Sequence, residues 1–282
     1  MEKLPTFLIL GAQKCGTTSL HALLSQHHEI CMSEPKETHF FNIHFEKGLE
    51  YYGETFFNKW EGQRVVGEAS PPYLFLPNIP QRIAVAFPGI KMVVILRDPV
   101  KRAFSHWWMN TTFGLESLSF KDAIRHSLQL SSEDMAKARM CERFYLQVGY
   151  YAEQLKRYLE FFPREQFHII FSDNLTHDTE ATLKGIYSFI GVAHKALPVD
   201  TIKRFETLGP FAAKLRSILR RVSMDNFIPP KTGYVVRRLL MAIGDRPPII
   251  DEEMSGWLDQ HYRPYNRELQ EMLNVDLSGW GT

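Results

Sequence analysis

Between Thr6 and Gln26 the chain passes from an apolar run through a glycine-bounded loop into an amphipathic stretch. Thr6-Phe7-Leu8-Ile9-Leu10 is strand-like and stops at Gly11. Leu20, Leu23 and Leu24 then recur at the i, i+3, i+4 spacing of a helix over Thr17–Gln26. The intervening Gly11-Ala12-Gln13-Lys14-Cys15-Gly16-Thr17-Thr18 has the G-x-x-x-x-G spacing of a phosphate loop. Glycines let the backbone turn so tightly that successive N–H groups point at one anion, and the helix start adds partial positive charge. A strand feeding a helix through such a loop belongs in a parallel α/β sheet.

The rest of the chain repeats that alternation. Arg64-Val65-Val66-Gly67, Lys91-Met92-Val93-Val94-Ile95-Leu96 and Phe167-His168-Ile169-Ile170-Phe171 read as strands. Helices are expected over Ile79–Phe87, Gln147–Phe162 and Thr179–Ile190, ended by Pro88-Gly89, Pro163 and Gly191. The strands are continuously apolar rather than alternating, which predicts a sheet covered on both faces. The fold class is therefore α/β, a three-layer sandwich around a central parallel sheet. Glu116 to Cys141 is polar and reads as an irregular surface excursion. No repeat or linker divides the chain, so residues 1–282 are expected to form one domain with a late helical segment.

That segment, residues 200–246, carries ten lysines and arginines against four acids in a chain whose net charge is only +1. It reads either as a solvated helix face or as a lid over an anionic ligand, with Lys214 and Arg216 as the lid candidates. A balance so close to neutral excludes a bulk nucleic-acid binder. Three cysteines, Cys15, Cys31 and Cys141, make neither a disulfide framework nor a CxxC zinc site. No apolar run approaches the ~18 residues of a spanning helix, and no signal peptide is read at the N-terminus. The expectation is a reduced, cytoplasmic protein that does not insert into membranes.

The loop departs from a triphosphate-binding one in a single position. Thr17 stands where the lysine that reaches β- and γ-phosphates would be, and the lysine is Lys14, inside the loop. There it would sit nearer a single terminal phosphate and its leaving group. A second anchor is Arg97, ending the Lys91–Leu96 strand, with Ser105 eight residues on, about two helical turns. Both can face the carboxyl edge of the sheet, where open α/β folds bind ligands. Arginine offers a fork for a phosphate and serine a hydroxyl. Arg97 could instead pair with Asp98 or cap the helix.

Together these two motifs resemble the sulfotransferases that use 3′-phosphoadenosine 5′-phosphosulfate (PAPS). The resemblance implies that the loop and first turn, Lys14, Cys15, Gly16, Thr17, Thr18 and Ser19, bind the 5′-phosphosulfate, and that Arg97 and Ser105 bind the 3′-phosphate. Glu37-Thr38-His39-Phe40-Phe41, Lys47-Gly48-Leu49, Glu68-Ala69-Ser70-Pro71-Pro72-Tyr73, Gly149-Tyr150-Tyr151 and Tyr262-Arg263-Pro264-Tyr265-Asn266 are similar to segments of the heparan sulfate N- and 3-O-sulfotransferases. Ala69 replaces a lysine of those enzymes, and their late disulfide and Lys-Gly-Arg lid motif are missing. These departures point to a cytosolic, bacterial-type relative with the sulfotransferase fold.

Sulfuryl transfer needs a base for the acceptor's proton and positive charge on the departing phosphate, and no metal. By the resemblance Glu37 is the base and Lys14 serves the leaving group. His39, two residues on, is a rival base, an orienting group or a core histidine. Glu68 and Tyr150 are candidate acceptor contacts, and His27-His28 reads as a polar helix end. The expected acceptor is a saccharide or small molecule, and the product nucleotide is 3′-phosphoadenosine 5′-phosphate (PAP). Two other readings stay open: a P-loop kinase for a nucleoside or small molecule, and a non-catalytic module that binds PAP or glycan.

Overall fold

The structure, a computed structural model, describes residues 3–194 and 248–280. The basic segment 200–246, with Lys214 and Arg216, lies outside the described residues. Five strands, β1 (Phe7–Gly11), β2 (Ile30–Met32), β3 (Val65–Ala69), β4 (Lys91–Leu96) and β5 (Phe167–Phe171), form one parallel sheet in the order β2-β3-β1-β4-β5. Residues of β1 and β3 are buried throughout, and β4 is buried from Met92 onward. Such strands have no polar face, which explains their unbroken apolar runs. The chain moves to one side of β1 for β2 and β3 and to the other for β4 and β5. A crevice therefore opens at the carboxyl ends of β1 and β4, where the strand order reverses.

The flanking helices are α1 (Thr17–Leu24), α2 (Gly48–Phe56), α3 (Pro72–Phe75), α4 (Ile79–Ala86), α5 (Pro99–Thr112), α6 (Phe120–Leu128), α7 (Ser132–Lys137), α8 (Tyr151–Leu159), α9 (Ser172–His177), α10 (Thr179–Ile190) and α11 (Glu252–Leu273). The main core surrounds the sheet. A second cluster joins Ala103 and Trp108 of α5 to Ile124 of α6 and to Leu258 and Tyr262 of α11. It fixes the direction in which α5 leaves β4. Phe40 stacks on Tyr52 with ring centres 3.9 Å apart, which anchors the segment after β2 to α2.

Several local expectations change. The sequence reading left out β2 and α2. The expected helix over Gln147–Phe162 begins as a single tight turn, Gln147–Gly149, before α8. The stretch Glu116 to Cys141 is not irregular: it carries α6 and α7. Ser119 Oγ accepts from the Asp122 amide to start α6, and Ser131 and Asp134 cap α7 reciprocally. Glu116 itself is buried, accepting from the Ser117 and Leu118 amides and from Tyr145 Oη. His27 is also buried rather than a polar helix end, with Nε2 2.9 Å from the Ala193 carbonyl.

Candidate active site

The loop after β1 is tied to β4 beyond the end of its strand. The β1–β4 register shifts between Ile9 and Gly11, and the Ala12 amide then donates to the Ile95 carbonyl at 2.7 Å. Gly11 has φ +146°, and a Cβ there would lie 2.8 Å from the Pro71 carbonyl oxygen, so only glycine lets the loop pass this close to α3. Gly16, at φ +107°, precedes α1 and offers no capping side chain. The first amides of α1 therefore keep their donors for an outside acceptor.

Lys14 adopts φ +69°, a strained backbone for a residue with a Cβ. Its carbonyl accepts from Arg97 Nη1 at 3.2 Å, which helps to hold that conformation. Among the described residues, its ammonium has no carboxylate within ion-pair distance. Burial, and then the Arg97 charge, push the Lys14 ammonium down to about 8. A half-buried lysine left without a carboxylate partner beside a second cation is a site that favours an anion. The loop and its lysine thus fit a phosphate.

Arg97 follows directly on β4. Its carbonyl accepts from Tyr151 Oη at 2.8 Å, and Tyr151 Oη lies 3.7 Å from Cys15 Sγ. Tyr151 therefore links the loop to the end of β4 from the α8 side. Asp98 is occupied elsewhere: its carboxylate caps α5 by accepting from the Val100 and Lys101 amides, and Lys101 Nζ lies 3.6 Å away. That excludes Asp98 as the partner of Arg97. Ser105 lies two turns into α5, half-buried and without a protein partner among the described residues. Cys15 is buried, and burial raises its thiol to about 11, so it stays protonated and inert.

Beneath the loop lies a further charge. Arg102 is fully buried on α5; its Nη2 donates to the Tyr145 carbonyl, while Nε and Nη1 have no partner among the described residues. Burial, then Arg102 and Lys14, keep the neighbouring His106 well below the ordinary histidine range and hence neutral. This side of the crevice is strongly positive.

The facing wall comes from the segment after β2. Glu37 Oε1 lies 2.8 Å from Lys36 Nζ, and Glu37 Oε2 lies 3.5 Å from His39 Nε2. Lys36 Nζ also donates to Thr17 Oγ1 at 3.3 Å, so Glu37 and the phosphate loop are joined through one ammonium. Burial lowers His39 below its usual range although Glu37 acts to raise it, which leaves a neutral imidazole at pH 7. His39 sits at φ +50°, not in the extended segment the sequence suggested, yet it still reaches Glu37. Thr38 points the other way and donates to Glu68, which also accepts from Ser70 Oγ. Burial pushes the Glu68 carboxyl up to about 7.

The structure thus brings Lys14, Thr17, Glu37, His39 and Arg97 to one crevice. Two other candidates are placed differently. Glu68 is fully buried and reaches the crevice through Thr38 and through Ser70, whose Oγ accepts from the His39 amide. Tyr150 turns to α11, stacking on Tyr265 at 4.0 Å and meeting His261 Nε2 at 2.8 Å, while its neighbour Tyr151 contacts the loop. Sequence reasoning passed over Lys36 and Arg102 as site residues, and it chose Tyr150 over its neighbour Tyr151. Lys36 adjoins the Glu37 motif and Tyr151 adjoins Tyr150, so adjacency was the only available signal.

An all-parallel sheet whose central strand ends in a glycine-bounded loop, with an arginine after the neighbouring strand bonded to that loop, defines an α/β fold whose loop is suited to a phosphate. The family model described as "Sulfotransferase domain" matches residues 4–226, and the chain belongs to that family. It is 27% identical over 282 residues to the human heparan sulfate glucosamine 3-O-sulfotransferase 6, covering 99% of this chain and 75% of that protein. It is 27% identical over 287 residues to the human bifunctional heparan sulfate N-deacetylase/N-sulfotransferase 2, covering 97% of this chain and only 30% of that protein. A solved sulfotransferase from Alicyclobacillus acidocaldarius superposes with a TM-score of 0.71 at 29% identity, covering 99% of each chain. The chain has the sulfotransferase fold.

Proposed function

We propose that this protein transfers a sulfuryl group from PAPS to a hydroxyl or amine of a saccharide or small-molecule acceptor, releasing PAP. The observation that carries this reading is Lys14: half-buried inside the loop, without a carboxylate partner among the described residues, and bonded through its carbonyl to Arg97. When bound, the donor supplies an activated sulfuryl group already attached to a phosphate leaving group. Lys14, with the amides and hydroxyls of Cys15, Gly16, Thr17, Thr18 and Ser19, binds the 5′-phosphate and neutralises the charge that builds on it. Arg97 and Ser105 bind the 3′-phosphate. Glu37 accepts the acceptor's proton on a carboxylate oxygen, and the neutral His39 orients that carboxylate. Glu68 braces the turn through Thr38.

A saccharide acceptor is supported by relatives whose names specify heparan sulfate. The buried free thiols Cys15, Cys31 and Cys141 support a cytoplasmic setting. We read residues 1–282 as one domain. PAP should stabilise the protein against heat, by about 2.7 kcal/mol at a concentration of about 100 times its Kd. ATP with magnesium should do so far less, because Thr17 stands in place of the triphosphate-binding lysine. Stabilisation of that size by ATP–magnesium, with none by PAP, would favour a kinase and refute the proposal.

A further inference from the structure

Lys36 is the residue that joins the two halves of the crevice. Its ammonium lies 2.8 Å from Glu37 Oε1 and 3.3 Å from Thr17 Oγ1. Thr17 belongs to the uncapped first turn of α1, so this lysine reaches the same place as the loop amides. It does so from a different element, the segment following β2. Its side chain is 16% exposed, against 38% for Glu37. An ordinary surface lysine keeps its head in water; this one is drawn in, near the Lys14 ammonium. Lys36 and Arg97 both act to lower Lys14, and Glu37 alone among the nearby carboxylates acts to raise it. At the end of β3, Ala69 and Ser70 bring no charge to this wall.

A cation so placed has two possible partners, the carboxylate beside it and any anion bound at Thr17. Both sit within reach of one flexible four-carbon stem. We propose that Lys36 is a second donor-binding lysine: it holds Glu37 while the crevice is empty and turns to the 5′-phosphosulfate beside Thr17 when the donor binds, releasing Glu37 to the acceptor. The proposal rests on the donor assignment made above. In the transfer a new bond forms from the acceptor atom to sulfur, and the acceptor's proton passes to Glu37. The electron pair of the broken S–O bond stays on the 5′-phosphate oxygen. Lys36 exchanges no proton in this transfer. Its role is to place charge and to time the base, which explains why one side chain contacts both halves of the site.

The test uses two nucleotides that differ only at the 5′ end, PAP and adenosine 3′-phosphate, titrated calorimetrically into wild-type, Lys36→Met and Lys36→Arg proteins. Lys36→Met should bind PAP about 10- to 100-fold more weakly, the range expected for a lost charge-assisted hydrogen bond. Its affinity for adenosine 3′-phosphate should stay within about twofold of wild type, because that ligand lacks the group Lys36 touches. This second titration also shows that the variant is folded. Lys36→Arg should recover most of the PAP affinity. Equal PAP binding by wild type and Lys36→Met would overturn the role of Lys36 and leave the donor assignment standing. Equal weakening of both nucleotides would also overturn it, by showing a general disturbance of the site. Failure of the wild-type protein to bind PAP would instead overturn the donor assignment, and this inference with it.

Discussion

Raising the pH from 7 to 9 should weaken PAP binding about tenfold, and Lys14 is the cause. Burial and the adjacent Arg97 charge bring the Lys14 ammonium down to about 8 in the free protein. A bound phosphate replaces the missing counter-charge and returns the lysine to a value well above 9. The charged form is thus the binding form, and its share falls from about nine-tenths at pH 7 to about one-tenth at pH 9. That ratio corresponds to about 1.4 kcal/mol. By linkage, binding at pH 9 should take up nearly one proton per PAP, and at pH 8 about half of one. Isothermal calorimetry in two buffers with different ionisation enthalpies reads both the affinity and the proton count. Lys14→Met should bind PAP weakly, with no slope between pH 7 and pH 9. A flat wild-type profile without proton uptake would refute the placement of Lys14 at the phosphate. A slope that survives in Lys14→Met would assign the titration to another group.

Three further outcomes follow from the same geometry. Arg97→Ala should cost about 1.5–3 kcal/mol of PAP affinity by calorimetry, and it also removes the bond to the Lys14 carbonyl that supports the loop. Glu37→Gln should lower single-turnover transfer about 10²- to 10⁴-fold with PAP affinity little changed, whereas His39→Asn should cost less; the opposite order would make imidazole the base. For Glu68, whose carboxyl burial raises to about 7 from 4.5, the neutral form is the stable one. Its contribution is complete below about pH 4.5 and lost as the pH rises through 7, so urea unfolding should show a fall of about 3 kcal/mol over that window that Glu68→Gln abolishes.

What was legible from the residues was whatever local chemistry dictates. β1 and β4 were readable because a doubly covered strand must be continuously apolar; β5, at the sheet edge with His168, Ile169 and Phe171 half-buried, was readable from its short run of aromatic and β-branched residues. The loop after β1 was readable because Gly11 and Gly16 occupy backbone positions that other residues resist. β2 escaped notice because three residues are too few for a pattern, and its place depends on pairing with Val65, Val66 and Gly67. The segment around Ser119 and Ser131 reads as loop by composition, but those serines are caps, and each starts a helix. Lys36 and Tyr151 were invisible for another reason. Nothing in a sequence says that a lysine after β2 meets a threonine on α1, or which of two adjacent tyrosines faces Cys15. Those contacts span 19 and 136 residues and are made by the fold. Glu68 shows the reverse error: a carboxylate at the end of a strand looks available to a ligand until its burial is known.

The central claim is that this crevice moves a sulfuryl group from PAPS, and it is tested most directly by incubating the protein with sulfur-labelled PAPS and a panel of glucosaminyl oligosaccharides and small phenols or alcohols. The account predicts label on at least one acceptor, with one PAP formed per sulfate transferred and no transfer by Lys14→Met. Stable labelled PAPS across the panel, together with phosphate transfer from ATP–magnesium to any member of it, would contradict the account.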